Sequence, residues 1–551
     1  MILKFKFDYN SNNNTLIYFL HTIAKQSNLE YKITKSNFIN LFIKGDEDEL
    51  TKFSTTLSSL LPMSIFFKDS TAEVVSQMSD EQGIVFDNEK IDLSFCSSCL
   101  QKVEDNTSID FYNPFISCDI CGTTCDVNEL NFIDLDKEKI HYENHEELFK
   151  KIAFLINDEK SIKIKTRSGS FVFKKLMKTE DNVKLLCTNL ANISKAFIAN
   201  KAEVVALASI EKPIINLKVN EVFKLTNTLN QEYANVRFVN DLILYLLAKE
   251  LKDYDIDFLT YEENSDFDYE LTYKKQLEPL DIMKIKVIED KNIILESNSY
   301  NEVLDDIYSK FKEPSKSHFM VLLHEYNFYD KSILNFYSST KEDDNIALYS
   351  KDIEGLLDIV NYKLPNSIEE IFETLKKDET ASRLLENYKN KYPDIYENAK
   401  KCDISSLKTN SIYSYWKIIS VILGFSLKIE EHNVLLDNAM SCILDKGPRI
   451  DYKLKESDKI FNKEFLLHKL IQSGMSFKLA GVDDKTLSLG YVESFAHYIS
   501  TLIDDIHNEV KLDGISLTGD IFANELISKL VHKSITKNFK IYYNKDFVIQ
   551  K

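Results

Sequence analysis

Residues Ser94–Cys125 read SFCSSCLQKVEDNTSIDFYNPFISCDICGTTC. Cys96 and Cys99 make one Cys-x-x-Cys knuckle, Cys118 and Cys121 make a second, and 18 residues separate the two. Two such knuckles supply four thiolates to one tetrahedral ion, and Asn113-Pro114-Phe115 offers the turn that brings the second back to the first. Four thiolates leave no open coordination position, so the spacing predicts a structural zinc site held by Cys96, Cys99, Cys118 and Cys121. Cys125, four residues beyond Cys121, competes for the fourth place, but the Cys-x-x-Cys geometry favours Cys121. Set against this reading are four buried thiols without metal, an iron–sulfur centre and a catalytic zinc.

At 551 residues, with 44% hydrophobic and 12% aromatic side chains, the chain can bury large cores. That length suits roughly three or four domains. Acidic residues outnumber basic ones, 87 to 68, for a formal charge of −19. Such a field repels phosphate backbones and anionic lipid, which argues against nucleic-acid and membrane partners. Only 12 glycines occur, so loops that cradle phosphates have few places to form. Residues 1–9 (MILKFKFDY) lack the pattern of a secretory signal, and the longest apolar stretch, Ile412–Phe425, is too short to span a bilayer and contains Lys417. Eight cysteines, four of them in knuckles, suit reduced thiols and a cytoplasmic protein.

On either side of the knuckles the pattern is that of a multidomain α+β and α/β chain. Leu3–Phe7 alternates as an edge strand, Leu16–Lys25 carries a helical stripe, and strands are expected near Tyr31–Ile33 and Phe38–Ile43. Asp46 caps a helix with Glu49 three residues on, and Leu50, Phe53, Leu57 and Leu60 form its buried stripe. Pro62 ends that helix before a closing strand at Met63–Phe67. The βαββαβ order is that of a ferredoxin-like domain, expected over residues 1–85. From 131 to 298 a helix at Glu147–Leu155 and strands at Ser161–Lys165, Phe171–Lys174 and Pro213–Val219 indicate a mixed α/β domain. The lysine- and acid-rich stretch near Ser299–Lys316 reads as a linker, and residues 315–551 mix strands with amphipathic helices, one over about Tyr491–Glu509. His141 and His145, four apart, read as one polar face at a helix start.

The knuckles, with YNPFISCDICG over Tyr112–Gly122, resemble the zinc-finger region of the HypF family. Members of that family are carbamoyltransferases that help to build the cyanide ligands of nickel–iron hydrogenases. They carry two such fingers in tandem where this chain has one. Phe42–Ile65 resembles the second half of the family's acylphosphatase-like domain, and Ser161–Phe173, Lys195–Phe197 and Glu211–Lys218 resemble stretches of its YrdC-like domain. Gly514–Leu530 (GISLTGDIFANELISKL) resembles the strand, glycine turn and helix of its actin-like carbamoyltransferase domain. The resemblance implies an acylphosphatase-like domain at 1–85, a zinc-finger region at 90–130, a YrdC-like domain at 131–298 and a carbamoyltransferase-like domain at 315–551, incomplete at its C terminus. It also implies chemistry with carbamoyl phosphate, ATP and magnesium, through a carbamoyl-adenylate, to a cysteine of a HypE partner.

The departures fall on the residues that would carry this chemistry. No arginine precedes Arg167, and Asp8–Asn14 replaces the family's arginine loop, so the fork that grips a phosphoryl group is missing. Lys163, Lys165, Arg167 and Lys195 are the candidates for nucleotide binding in the YrdC-like region, although lysines alternating along a strand equally form a solvated face. Thr260–Asn264 carries two carboxylates that repel a triphosphate. Lys408–Trp416 occupies the place of the family's metal-binding histidines and has none. Gly519, in Thr518-Gly519-Asp520, is the last candidate, and Asp520 beside it opposes a phosphate. No residue is assigned a catalytic role. The expectation is a HypF-like protein of hydrogenase maturation whose catalysis has degenerated, leaving a scaffold or regulator. An active carbamoyltransferase and a zinc-knuckle adaptor unrelated to hydrogenases are the alternatives.

Overall fold

A computed structural model describes every residue except 85–92, 124–128, 178–182, 228–230, 232, 276, 278, 289–292, 296–300, 354, 456–460, 536–537 and 550–551. The protein divides into two compact units, Met1–Val287 and Ile288–Lys551.

The first unit opens with β1 (Ile2–Tyr9), α1 (Thr15–Gln26), β2 (Glu30–Lys35), β3 (Ile39–Lys44), α2 (Glu47–Leu60) and β4 (Phe67–Val75). Their sheet has the order β2-β3-β1-β4, each strand antiparallel to its neighbour. Asp46 closes a capping box on α2: its carboxylate accepts the Glu49 N–H at 2.8 Å, and Glu49 accepts the Asp46 N–H at 2.9 Å. Leu50, Phe53 and Leu57 are buried, as the stripe requires, and Leu60 is half-buried.

The closing strand begins later than Met63–Phe67. The Met63 carbonyl accepts the Ile210 N–H at 2.8 Å, and the Glu211 carboxylate accepts the Ser64 hydroxyl at 2.5 Å and the Ile65 N–H at 3.1 Å. Burial pushes the Glu211 carboxyl above its ordinary range, and these donors partly offset it. Residues 63–65 are thus tied to the next layer, and pairing with β1 starts at Phe67 in a stretch of mostly exposed side chains. The apolar run marks the anchor and not the strand.

After α3 (Ser97–Glu104) come β5 (Leu130–Asp134), α4 (His145–Asn157), β6 (Ile162–Thr166), β7 (Gly169–Lys175), β8 (Lys184–Cys187), β9 (Phe197–Ile198) and α5 (Lys201–Ala208). They are followed by β10 (Ile214–Val219), α6 (Glu221–Asn227), β11 (Tyr233–Phe238), α7 (Leu242–Leu251), β12 (Phe258–Glu262), β13 (Tyr269–Tyr273) and β14 (Lys284–Val287). These strands form one mixed sheet in the order β14-β10-β11-β8-β12-β7-β6-β13-β5, with β9 beside β10. Leu148, Phe149 and Ile152 of α4 and Leu246 and Leu247 of α7 share a core with Ile162, Ile164 and Phe173 of the sheet. Asn144 caps α4, so His141 lies before the helix and the expected shared face with His145 does not form.

The second unit begins with β15 (Ile293–Leu295), α8 (Glu302–Ser309) and α9 (Pro314–Glu325). The stretch expected as a linker therefore contains a helix: Asn301 caps it through the Leu304 N–H at 3.1 Å, and Leu304 is buried with Val321. An antiparallel meander of β16 (Ile333–Tyr337), β17 (Asn345–Tyr349) and β18 (Leu357–Asn361) follows. Then come the helices α10 (Ile368–Lys376), α11 (Glu379–Lys391), α12 (Pro393–Lys401), α13 (Ile412–Ile422) and α14 (Val434–Met440). The chain continues through β19 (Lys463–Glu464), α15 (Leu467–Leu479), α16 (Asp484–Glu509), β20 (Gly514–Thr518), α17 (Glu525–Ile535) and β21 (Ile541–Tyr542). The sheet order is β19-β18-β17-β16-β20-β21, with β20 parallel to β16. The switch between flanks falls between β16 and β20, the position at which open α/β sheets present their ligand crevice. α16 starts at Asp484 and not near Tyr491, because Asp483 accepts the N–H groups of Lys485 and Thr486. No described helix is long and apolar enough to cross a membrane.

Candidate metal centre

Cys96 is the N-cap of α3 and Cys99 lies in its first turn, where the helix dipole favours thiolate. The second knuckle is closed by the Cys118 N–H donating to the Thr123 carbonyl at 2.8 Å. Gly122 follows Cys121 with φ +70°, a backbone conformation in which a side chain is strained. The four sulfurs lie within 4.8 Å of one another, with Cys96–Cys99 at 3.8 Å and Cys96–Cys118 and Cys99–Cys121 at 3.6 Å. A tetrahedral zinc with bonds of about 2.3 Å spaces its sulfurs by about 3.8 Å. The donor set therefore fits a single tetrahedral ion such as zinc. Cys125, the competing ligand, lies outside the described residues.

Electrostatics agree with the geometry. Four buried thiols this close cannot all ionise unless a cation shares them. Cys118, accepting hydrogen bonds from Cys121, Cys96 and Cys99, is held far below the ordinary thiol range. Cys118 acts to raise Cys121, but Cys96 and Cys99 outweigh it and bring that thiol down to about 7. Cys96 and Cys99, hydrogen-bonded to Cys118, are pushed far upward. Binding an ion would release their protons.

The centre is embedded in the α/β core. Phe95, Val103, Phe115, Ile116 and the four cysteines belong to the same buried cluster as α4 and α7. The Tyr112 hydroxyl donates to Glu250, and the Tyr245 hydroxyl to Glu104, so two phenol–carboxylate bonds join the knuckles to α7. A Cβ on Gly122 would lie 2.3 Å from the Tyr18 hydroxyl oxygen. Gly122→Ala is therefore expected to lower stability by about 1–2 kcal/mol through its left-handed backbone alone. It should also weaken metal retention, read by chemical denaturation and by competition with a chromophoric chelator. Tyr18→Phe in the same chain should restore part of the loss.

The nucleotide candidates are spread along the large sheet and are each held by protein groups. Lys163 and Lys165 share one face of β6, where Lys163 pairs with Glu270 at 3.2 Å and Lys165 donates to the Tyr273 carbonyl at 3.2 Å. Arg167, in the β6–β7 turn, donates to the Leu93 carbonyl at 2.8 Å. Lys195 ends the short turn Leu190–Lys195 and pairs with Asp257 at 2.8 Å, just before β12. In the second unit Gly519 has φ +93°, and a Cβ there would lie 2.1 Å from the Ser338 carbonyl oxygen. Asp520 accepts the Thr340 N–H at 2.8 Å and also the Thr340 hydroxyl. The ends of β16 and β20 are thus fastened to one another.

One polar residue escaped the sequence reading. Arg237 of β11 is 1% exposed, with the Phe171 and Tyr261 rings 4.7 and 4.1 Å from its guanidinium carbon. Its Nη1 reaches Ser168 Oγ at 3.4 Å, while among the described residues Nε and Nη2 have no partner, nor do Asn240 Oδ1 and the Tyr261 hydroxyl. The signal was present: the chain has only four arginines, and this one interrupts a strand pattern, YANVRFV.

No family model matches the chain. Protein HydE of Wolinella succinogenes is 23% identical to it over 94% of this chain and 94% of that protein. Two crystal structures, one of full-length HypF in the phosphate- and nucleotide-bound form and one of T. kodakarensis HypF, each superpose with a TM-score of 0.58 at 13% identity. Each match covers 99% of this chain and 96% of the HypF chain. The chain is thus HypF-like in fold from end to end.

Proposed function

We propose that this chain serves hydrogenase maturation as a HypF-like protein, with a structural zinc ion in the tetracysteine centre and without nucleotide-dependent carbamoyl transfer. Its role is that of a scaffold or regulator that meets other maturation proteins, a HypE-like protein first among them. The observation that carries this reading is the fastening of the ends of β16 and β20 to one another. A phosphate there would have to displace the Thr340 hydrogen bonds from Asp520, and the Asp520 carboxylate repels an anion. Gly519 is used for a close approach to Ser338 and not for a ligand. The protein partners of Lys163, Lys165, Arg167 and Lys195 support the same reading.

A second reading rests on Arg237. Its buried, unpaired Nε and Nη2 form the side of the guanidinium that takes an oxyanion in two places, which favours retained small-anion chemistry in the first unit. Carbamoyl-phosphate-dependent ATP–pyrophosphate exchange separates the two. The purified chain is expected to show none, and exchange that is lost in Arg237→Lys would establish the second reading in place of the first. A pull-down that recovers no hydrogenase-maturation protein would move the chain to an unrelated adaptor role.

A further inference from the structure

The second unit holds a cavity of about 500 Å³ that neither reading uses. Tyr452, Tyr498 and Leu502 line it, together with Arg449, Lys453, Lys455 and Lys463. We propose that this cavity binds a small phosphate-bearing anion, up to the size of a mononucleotide, held by Arg449, Lys453 and Lys463.

Charge points to the ligand's sign. Among the described residues, four cations line the cavity against the two carboxylates of Asp451 and Asp505, in a chain whose net charge is −19. Among the described residues Lys455 is matched by Glu464 at 3.2 Å, and no ion pair neutralises Arg449, Lys453 or Lys463. Like charges gathered over an aromatic floor repel one another, and a bound anion relieves that repulsion. Arg449 is one of only four arginines in a lysine-rich chain. A planar fork and two ammonium groups among the lining residues of one cavity, with Ser494 and Thr501 also among them, suit a tetrahedral dianion.

The cations stand on a rigid support. The Ile450 N–H donates to Ser494 Oγ at 2.8 Å, the Tyr452 hydroxyl to the Tyr491 carbonyl at 3.0 Å, and the Leu466 N–H to the Lys453 carbonyl at 2.9 Å. A Cβ on Gly447 would lie 2.2 Å from the Gly490 nitrogen, so the segment is seated on α16 backbone against backbone. With the chain fixed, alternation turns Ile450 and Tyr452 inward and leaves Arg449, Asp451, Lys453 and Lys455 exposed. A volume of this order suits a small ligand. The proposal is independent of the maturation role and of the β16–β20 crevice, which involves none of these residues.

Pyridoxal 5′-phosphate, a phosphate carrying a lysine-reactive aldehyde, is the probe. Incubated with the full chain and reduced with borohydride, it should label Lys453 or Lys463 ahead of other lysines, and excess pyrophosphate should suppress that labelling. In calorimetry the double variant K453M/K463M, with an unchanged circular dichroism spectrum, should bind pyrophosphate at least about tenfold more weakly than the wild-type chain. Labelling spread evenly over exposed lysines, labelling indifferent to pyrophosphate, or equal affinity in the variant would each overturn the proposal.

Discussion

Cys96→Ser or Cys118→Ser is expected to abolish metal retention and to collapse the region around the knuckles. A purified wild-type chain should carry one zinc, and either variant less than a tenth of that, by elemental analysis. Three thiolates bind zinc far less tightly than four, and structural zinc in small finger peptides contributes on the order of 10 kcal/mol to folding. The loss would spread, because the cysteines share one core with α4 and α7 and because Tyr112 and Tyr245 tie the knuckles to α7. Cys402→Ser, at a half-buried thiol remote in sequence, is the control and should leave zinc unchanged. A wild-type chain without zinc, or variants that keep it, would end the metal assignment.

The second unit should lose stability as pH rises from about 4 to about 7, and Asp344→Asn should remove that slope. Asp344 is buried where β17 begins, and its carboxylate accepts the Ser338 hydroxyl at 3.1 Å, the Ser339 N–H at 3.0 Å and the Ile412 N–H at 2.8 Å. Burial nevertheless pushes its carboxyl up to about 7, these donors only partly opposing the shift. In the unfolded chain the group titrates near 4, so below that pH both states are protonated and no penalty exists. Between the two values the unfolded chain ionises more readily, and the cost to folding grows to roughly 4 kcal/mol by pH 7 and above. Chemical denaturation at pH 5 and pH 8 reads the difference. Identical slopes for the wild type and Asp344→Asn would assign the pH dependence elsewhere.

Sequence patterns located those elements whose signal is local. The Asp46–Glu49 box, the Leu50–Phe53–Leu57 stripe and the four cysteines all sit where their spacing put them, since caps, helical faces and Cys-x-x-Cys turns are set within a few residues. The misplacements have long-range causes. Apolar Met63–Phe67 reads as the closing strand, but the partners of its first three residues, Ile210 and Glu211, stand far along the chain. Residues 302–309 looked like a linker because a single buried leucine, Leu304, anchors their helix. Nothing near Arg237 in sequence shows that Phe171 and Tyr261 enclose it. The sequence puts the Asp520 carboxylate beside the glycine turn, and only the fold shows that a threonine from the β16–β17 loop occupies both its oxygens.

Glu211 fastens the N-terminal four-stranded layer to the large sheet of the same unit. The N-terminal four-stranded layer has no arginine with which to handle a phosphoryl group, yet Ser64 and Ile65 satisfy a carboxylate rooted in its neighbour. Deleting the layer would remove the donors that hold that carboxylate and open the surface packed beneath them to water. The four-stranded layer and the large sheet of the first unit are thus coupled in stability through one carboxylate, so a change at Ser64 would be felt on both sides of it.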